Sequence, residues 1–108
     1  MGVRNLTHKQ LEALVWVAEL DSFRKAAAHL NTSQPNISAR IAGMEAVLGI
    51  SLMQRDAGSV RMTAKGAEIV ASAREVLRGA EKLAEIAGRL DLIEDQLQLN
   101  ITKIITYT

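Results

Sequence analysis

The sequence has 108 residues, a formal net charge of +1 and no cysteine. This length fits one domain with a short appendage, and the lack of cysteine excludes disulfides and thiolate metal sites. Many Ala residues, seven Gly and one Pro favour a mainly α protein. No apolar run approaches the roughly 18 residues of a membrane span, and no signal peptide pattern begins the chain. We therefore expect a soluble, cytoplasmic protein without a membrane partner.

The first predicted helix begins after Thr7. Thr7 and Gln10 have the spacing of a capping box. Apolar residues then recur at helical spacing on one face, at Leu11, Leu14, Val15 and Ala18. We expect Trp16, which lies off this stripe, to be a partly buried residue at its rim. The pair Asp21-Ser22 is expected to end this helix and to cap the next.

Residues 22–49 predict two helices joined by a very short turn. The first runs over about residues 23–30, residues 31–32 make the turn, and the second helix runs over about residues 33–48. Helices linked this tightly must cross steeply, which is the helix-turn-helix arrangement that places its second helix in a DNA groove. The stretch therefore indicates a sequence-specific DNA-binding module.

The second of these helices has a narrow apolar stripe, expected to be buried, at Ile37, Ile41, Met44 and Leu48. Its opposite face is small and almost uncharged, and is centred on Pro35, Ala39, Ala42 and Ala46 with Asn36, Ser38 and Gly43 at its flanks. An ordinary solvent face would carry Lys and Glu, whereas this one can enter a major groove. There Gln34 or Asn36 is expected to pair with adenine, Ser38 with most bases, and Ala39 or Pro35 with thymine methyl groups.

Contacts with DNA phosphates are expected around this helix. Thr32 or Ser33 caps its N-terminus, where free amide groups suit a phosphate oxygen. Arg40 is interpreted as a phosphate or salt-bridge residue. At the start of the preceding helix, Arg24 and Lys25 are either solvated cations or phosphate contacts.

Residues 50–62 predict a small hairpin, with strands at Ser51–Gln54 and Val60–Met62 around a turn at Asp56–Ser59. A two-stranded ribbon after a helix-turn-helix is a wing. It is expected to pack on the helices through Leu52 and Met62, and to reach the minor groove or the DNA backbone with Arg55 and Arg61.

After Thr63, a long helix is predicted from Ala64 to about Leu90. A heptad seam runs along it, at Ile69, Ala73, Val76, Ala80, Leu83, Ala87 and Leu90. The helix would be about 40 Å long, too long for three short helices to cover, so we expect a homodimer through this seam. The alternative is packing within the chain, for which the stripe Val70, Leu77 and Ala84 is better suited. Residues 96–102 alternate polar and apolar, which predicts one strand.

Catalysis is not expected. Only His8 and His29 could act as imidazole bases, and neither has a partner that would form a catalytic or metal-ligating constellation. We therefore expect no enzymatic activity, no cofactor and no metal.

The run FRKAAAHLNTSQPNISARIAGMEAVLGISLMQR, followed by VRMTAKG, closely resembles the N-terminal domain of LysR-type transcriptional regulators. The resemblance covers roughly residues 5–90. It implies a mainly α winged helix-turn-helix of three helices and a two-stranded wing, dimerised through a long linker helix. It also implies transcriptional regulation from interrupted inverted repeats in double-stranded DNA. The positions that it assigns to DNA contacts are Ser33, Gln34, Pro35, Ser38 and Arg55.

The sequence departs from the family in two respects. Members often carry Arg at the position of Ala39 and basic residues at Ala42 and Gly43, so fewer phosphates are neutralised here and lower non-specific affinity is expected. Members also continue into a large effector-binding domain. Residues 93–108 look like the start of that domain or a tail, so we expect a truncated chain that lacks the domain and binds no small-molecule effector. The alternative function is a dimerisation module that forms heterodimers with an intact relative.

These inferences predict a DNA-binding domain over residues 1–62, a linker helix over 63–92 and a remainder over 93–108. The predicted DNA-binding residues are Arg24, Lys25, Thr32, Ser33, Gln34, Pro35, Asn36, Ser38, Ala39, Arg40, Arg55 and Arg61.

Overall fold

The computed structural model describes residues 6–56 and 59–88. Its elements in chain order are α1 (His8–Leu20), α2 (Phe23–His29), α3 (Gln34–Leu48), β1 (Met53–Asp56), β2 (Ser59–Met62) and α4 (Ala64–Ala87). The chain divides into two units between Arg74 and Glu75. The prediction of a mainly α winged helix-turn-helix followed by a long helix is confirmed. The strand predicted at 96–102 lies outside the described residues, as does Leu90.

The predicted helix starts are confirmed by hydrogen bonds from backbone amides to side chains. Thr7 Oγ1 accepts from the amide of Gln10 at 3.1 Å, and Gln10 Oε1 accepts from the amide of Thr7 at 2.9 Å, which completes the capping box. Ser22 Oγ caps α2 and Ser33 Oγ caps α3. Each cap satisfies an amide that the helix leaves free, and is worth about 1 kcal/mol.

A residue with positive φ follows each of the first three helices. Asp21 (φ 55°) follows α1, and Gly49 (φ 71°) follows α3. Asn31 (φ 56°) lies in the turn between α2 and α3. Asp and Asn adopt this conformation more readily than other non-glycine residues. These reversals let α1, α2 and α3 pack on one another within a short length of chain.

The core lies between these three helices and the start of the wing. Its largest fully buried side chains are Leu14, Val17, Ile37, Ile41, Met44 and Leu52. Three of the four stripe residues predicted on α3 are therefore buried, and Leu48 is half-buried. The predicted face of α1 omitted Ala13 and Val17, both fully buried. Because α1 contacts α2, α3 and β2, its buried face is wider than a single stripe.

The first strand of the wing begins two residues later than predicted, because Ser51 and Leu52 are engaged elsewhere. The amide of Leu52 donates to Glu45 Oε2 on α3 at 2.9 Å. The hydroxyl of Thr63 donates to the Ser51 carbonyl at 2.8 Å, and the Thr63 amide donates to the Leu52 carbonyl at 3.0 Å. The antiparallel ladder then runs from Met53 opposite Met62 to Asp56 opposite Ser59.

Helix α4 begins after Thr63, whose hydroxyl accepts from the amide of Gly66 at 2.9 Å. It ends at Ala87, three residues earlier than predicted, because Gly88 takes a φ of 71°. On its first half, Arg74 Nη2 lies 3.1 Å from Glu19 Oε1 of α1. No helix among the described residues is long and apolar enough to cross a membrane.

Candidate nucleic-acid interface

The small face of α3 is open to solvent in this chain. Its central residues, Pro35, Ala39, Ala42 and Ala46, are all exposed. Gly43 was predicted at the flank of this small face, but in the structure it faces α1. A Cβ added there would lie 2.9 Å from Gln10 Nε2. The exposed surface is therefore formed by Ala and Pro without a charged side chain at its centre, which is the shape that enters a DNA groove closely.

Two amides at the start of α3 were predicted to read bases, and the structure distinguishes them. Asn36 Nδ2 donates to Thr32 Oγ1 at 2.9 Å, so this amide is partly committed to the turn. Gln34 is exposed, and its side chain makes no hydrogen bond to another of the described residues. Gln34 therefore presents both a donor and an acceptor to a ligand, as bidentate pairing with adenine requires.

Arg55 of β1 joins the wing to both helices of the helix-turn-helix. Its guanidinium carbon lies 3.8 Å from the centroid of the Phe23 ring at the start of α2. Its Nη2 lies 3.5 Å from Ser38 Oγ on α3. The sequence did not predict this stacking, since nothing in the local pattern links residues 23 and 55.

An open groove separates the wing from the starts of α2 and α3. It is lined by Ser22, Phe23, Arg24, Gln34, Arg55, Asp56, Ser59 and Val60. The guanidinium groups of Arg24 and Arg55 make this groove cationic on one side, while Asp56 adds an opposing charge near the wing tip. Lys25 is also exposed, but its side chain does not line the groove. The groove thus offers a polar ligand two cations and several hydrogen-bonding groups.

Arg61 is engaged within the wing. Its Nη2 lies 3.4 Å from Asp56 Oδ2, and both side chains are exposed. An exposed ion pair contributes about 0–1 kcal/mol, so a phosphate could displace the carboxylate at little cost. Arg40 is half-buried on α3.

The two histidines contact different residues and do not form a common site. His8 Nε2 lies 3.4 Å from Glu12 Oε2, a partner at i+4 that sequence reasoning overlooked. The His29 ring lies 3.7 Å, centroid to centroid, from the ring of Trp16, which is half-buried. Among residues 6–56 and 59–88, no group of three His, Asp or Glu side chains could hold a metal.

Two neighbouring stripes of α4 differ in exposure. Val76 and Leu83 of the predicted dimer seam are 56% and 48% exposed, whereas Ala73 is 2% exposed and already covered within the chain. In the stripe predicted to pack within the chain, Val70 and Ala84 are buried. Ile86 is 79% exposed, although the predicted seam did not include it. Because Ile86 follows Leu83 by three residues, it widens the exposed apolar face of α4. It does so on the side opposite the seam residues Ala80 and Ala87.

The family model described as "Bacterial regulatory helix-turn-helix protein, lysR family" matches residues 8–67. YvbU of Bacillus subtilis, an uncharacterized HTH-type transcriptional regulator, is 36% identical over 104 residues, which are 95% of this chain and 34% of YvbU. The dual regulator OxyR of Escherichia coli is 40% identical over 81 residues, which are 75% of this chain and 27% of OxyR. The solved complex of the CbnR DNA-binding domain with DNA is similar to this fold, with a TM-score of 0.71. Its identity is 31%, over 74% of this chain and 92% of the CbnR domain.

This chain spans about a third or less of the length of these curated relatives. The matched region holds the two crossing helices, the wing and the start of α4. The curated relatives are transcriptional regulators and not enzymes. The chain belongs to the LysR family of bacterial regulatory helix-turn-helix proteins and contains the DNA-binding domain of that family.

Proposed function

We propose that this chain binds interrupted inverted repeats in double-stranded DNA as a homodimer, and that it serves as the DNA-binding part of a transcriptional regulator. The observation that carries the proposal is the exposed, uncharged face of α3 beside a groove lined by Arg24 and Arg55. A small neutral face admits a helix deep into the major groove, while cations at its edge neutralise phosphates. A cytoplasmic location is part of the same proposal, because the DNA of a bacterium lies there.

Gln34 and Arg55 are assigned different parts in this binding. Gln34 projects from the start of α3, the part of a recognition helix that contacts base edges. Arg55 lies on the wing beside the same helix start and contacts the DNA backbone or the minor groove. The first contact depends on the base sequence, whereas the second is made with any duplex. The two residues therefore separate specificity from general affinity.

Replacing Gln34 by Ala is expected to weaken binding to the preferred duplex by about 5- to 150-fold per half-site, since a bidentate base contact is worth about 1–3 kcal/mol. Binding to a scrambled duplex should be unchanged. Arg55→Ala should weaken binding to both duplexes and reduce the slope of log affinity against log salt concentration by about one per protomer. Fluorescence anisotropy at several salt concentrations measures both effects, with a duplex that the wild-type protein selects from a random pool.

The matched control is Lys82→Ala, which removes one exposed cation of α4 that does not line the groove. It should leave both affinities and the salt slope unchanged. Equal wild-type affinity for the selected and the scrambled duplex would contradict sequence-specific binding. Equal base preference in wild type and Gln34→Ala would contradict the role of Gln34 alone.

The homodimer is supported by the exposed side chains of Val76, Leu83 and Ile86 on α4. Soluble proteins rarely leave several large aliphatic side chains exposed on one helical face unless the face binds a partner. The residues occur at steps of seven and three, which places them on one side of the helix. A second copy of the same helix supplies a matching apolar face, and it would set the spacing between two copies of α3.

Glutamate at both Val76 and Leu83 is expected to make the chain monomeric at micromolar concentration, because the paired helices would bury four carboxylates. Affinity for the two-half-site duplex should then fall to that for a single half-site. Sedimentation velocity and anisotropy report the two effects. Ala71→Glu, at an exposed position on the opposite side of α4, is the control and should leave the dimer intact. A monomeric wild-type chain at the same concentration would contradict the proposed dimer.

A further inference from the structure

We propose that Phe23 is a positioning residue for DNA binding, because its ring holds the guanidinium of Arg55 in one orientation at the mouth of the groove. The inference rests on the proposed DNA-binding function, which gives Arg55 its ligand. The ring centroid and the guanidinium carbon are 3.8 Å apart, which is contact distance for a cation over an aromatic face.

The ring itself is held firmly. Phe23 is the first residue of α2 and only 5% exposed, so its edges are fixed in the core while one face meets Arg55. The Ser22 hydroxyl accepts from the Lys25 amide at 3.0 Å and thereby fixes the first turn of the helix around Phe23. A rigid aromatic face is thus presented to the wing.

Arg55, by contrast, needs such a support. It is an exposed residue at the third position of a four-residue strand, and a long side chain there would otherwise sample many rotamers. Stacking fixes the plane of the guanidinium but leaves the N–H groups at its edge free to bind, because they lie in that plane. One of them already points to Ser38 Oγ, at 3.5 Å, on the groove side of α3.

The arrangement therefore links three elements at one point. The ring comes from α2, the cation from β1 and the hydroxyl from α3. Both copies in a dimer would present the guanidinium at the same place relative to the recognition helix, without the ordering cost that a free side chain incurs on binding. Burial alone requires only a large apolar side chain at position 23, whereas an aromatic face is needed for the stacked cation.

A double-mutant cycle tests this assignment, with wild type, Phe23→Leu, Arg55→Ala and the double variant. Phe23→Leu is expected to weaken binding to the selected duplex by about 2- to 13-fold per half-site, because an Arg55 side chain released from the ring must be ordered again on binding. In the Arg55→Ala background the same change should have almost no effect. Pairing Phe23→Leu with Arg24→Ala is the control, since Arg24 lines the same groove but is not the cation stacked on Phe23. The losses of binding free energy caused by Phe23→Leu and by Arg24→Ala should be additive.

NMR of the free protein provides a readout that does not depend on DNA. The side-chain protons of Arg55 should show a ring-current shift in wild type, lose it in Phe23→Leu and keep it in Phe23→Tyr. Phe23→Tyr should also restore most of the wild-type affinity. Thermal unfolding of each variant identifies a temperature at which all variants are folded, and binding is measured there. The double-mutant cycle does not use Phe23→Tyr, so it remains valid even if that variant is too unstable.

The outcomes separate this inference from the proposed function. Additive effects of Phe23→Leu and Arg55→Ala, or an Arg55 shift unchanged by Phe23→Leu, would overturn the positioning role while DNA binding stands. A wild-type protein that prefers no duplex at any salt concentration would overturn the proposed function, and with it this inference. Coupling between positions 23 and 55 together with the ring-current shift would establish the role.

Discussion

Replacing Gly66 by Ala is expected to lower the free energy of unfolding by about 3 kcal/mol or more, and Tm by at least about 10 °C. Gly66 is buried in the first turns of α4. A Cβ added there would overlap the carbonyl oxygen of Leu52 and lie 2.8 Å from its carbonyl carbon. This neighbour is backbone and not the end of a flexible side chain, so the overlap can be relieved only by moving one segment away from the other.

The displaced segment is held by several contacts that would be lost together. The Leu52 side chain is fully buried, and the Leu52 amide donates to the carboxylate of Glu45. The Leu52 carbonyl accepts from the amide of Thr63, whose hydroxyl also caps α4. Moving this backbone would therefore disturb the core, the base of the wing and the start of the linker helix at once. Thermal and urea unfolding followed by circular dichroism measure the loss.

Gly79→Ala is the matched control, because it makes the same substitution in the same helix. Nothing lies within 4 Å of a Cβ placed at Gly79. Replacement should therefore leave stability unchanged or raise it by up to about 1 kcal/mol, the difference in helix propensity between Gly and Ala. Both variants are measured at one protein concentration, since a dimer is stabilised by mass action. Equal effects of the two substitutions would contradict the close approach assigned to Gly66.

Replacing Ala39 by Glu is expected to weaken DNA binding by about 100-fold or more without unfolding the protein. Ala39 is exposed at the centre of the small face of α3. A glutamate there would fill the space that lets the helix approach, and would place a carboxylate against bases and phosphates. Like charges brought together in an interface cost several kcal/mol. Anisotropy with the selected duplex measures the loss, and thermal unfolding should change little, as is usual for an exposed substitution.

Ala46→Glu is the control for this change. Ala46 is exposed on the same face of the same helix, seven residues and therefore about 10 Å further from the helix start. Recognition helices contact bases mainly with their N-terminal residues, so a carboxylate at position 46 should cost much less affinity than one at 39. Equal losses would indicate a general effect of charge, and would contradict the proposed insertion of the N-terminal half of α3.

The local chemistry of the helix boundaries was readable from the sequence. Thr7 and Ser22 are the caps that were expected, and Ser33 is the one of the two expected candidates, Thr32 and Ser33, that caps α3. Caps depend on residues within three positions of one another, so the sequence contains all the information that they need. The start of the first wing strand, by contrast, could not be predicted from neighbouring residues. The Ser51-Leu52 segment is bound by Glu45 and Thr63 through hydrogen bonds that span 7 and 12 residues, and these bonds move the strand start to Met53.

The sequence by itself determined the family, the order of the elements and the neutral face of α3. Periodicity places Ala39 opposite the apolar stripe whatever the helix packs against, because 3.6 residues per turn is a property of the chain. Only the tertiary structure decided which side chains meet across elements. It stacks Arg55 on Phe23, brings Gly43 against Gln10 and covers Ala73 while leaving Val76 exposed. These contacts depend on how helices cross and how closely they approach, and local spacing along the sequence contains neither quantity.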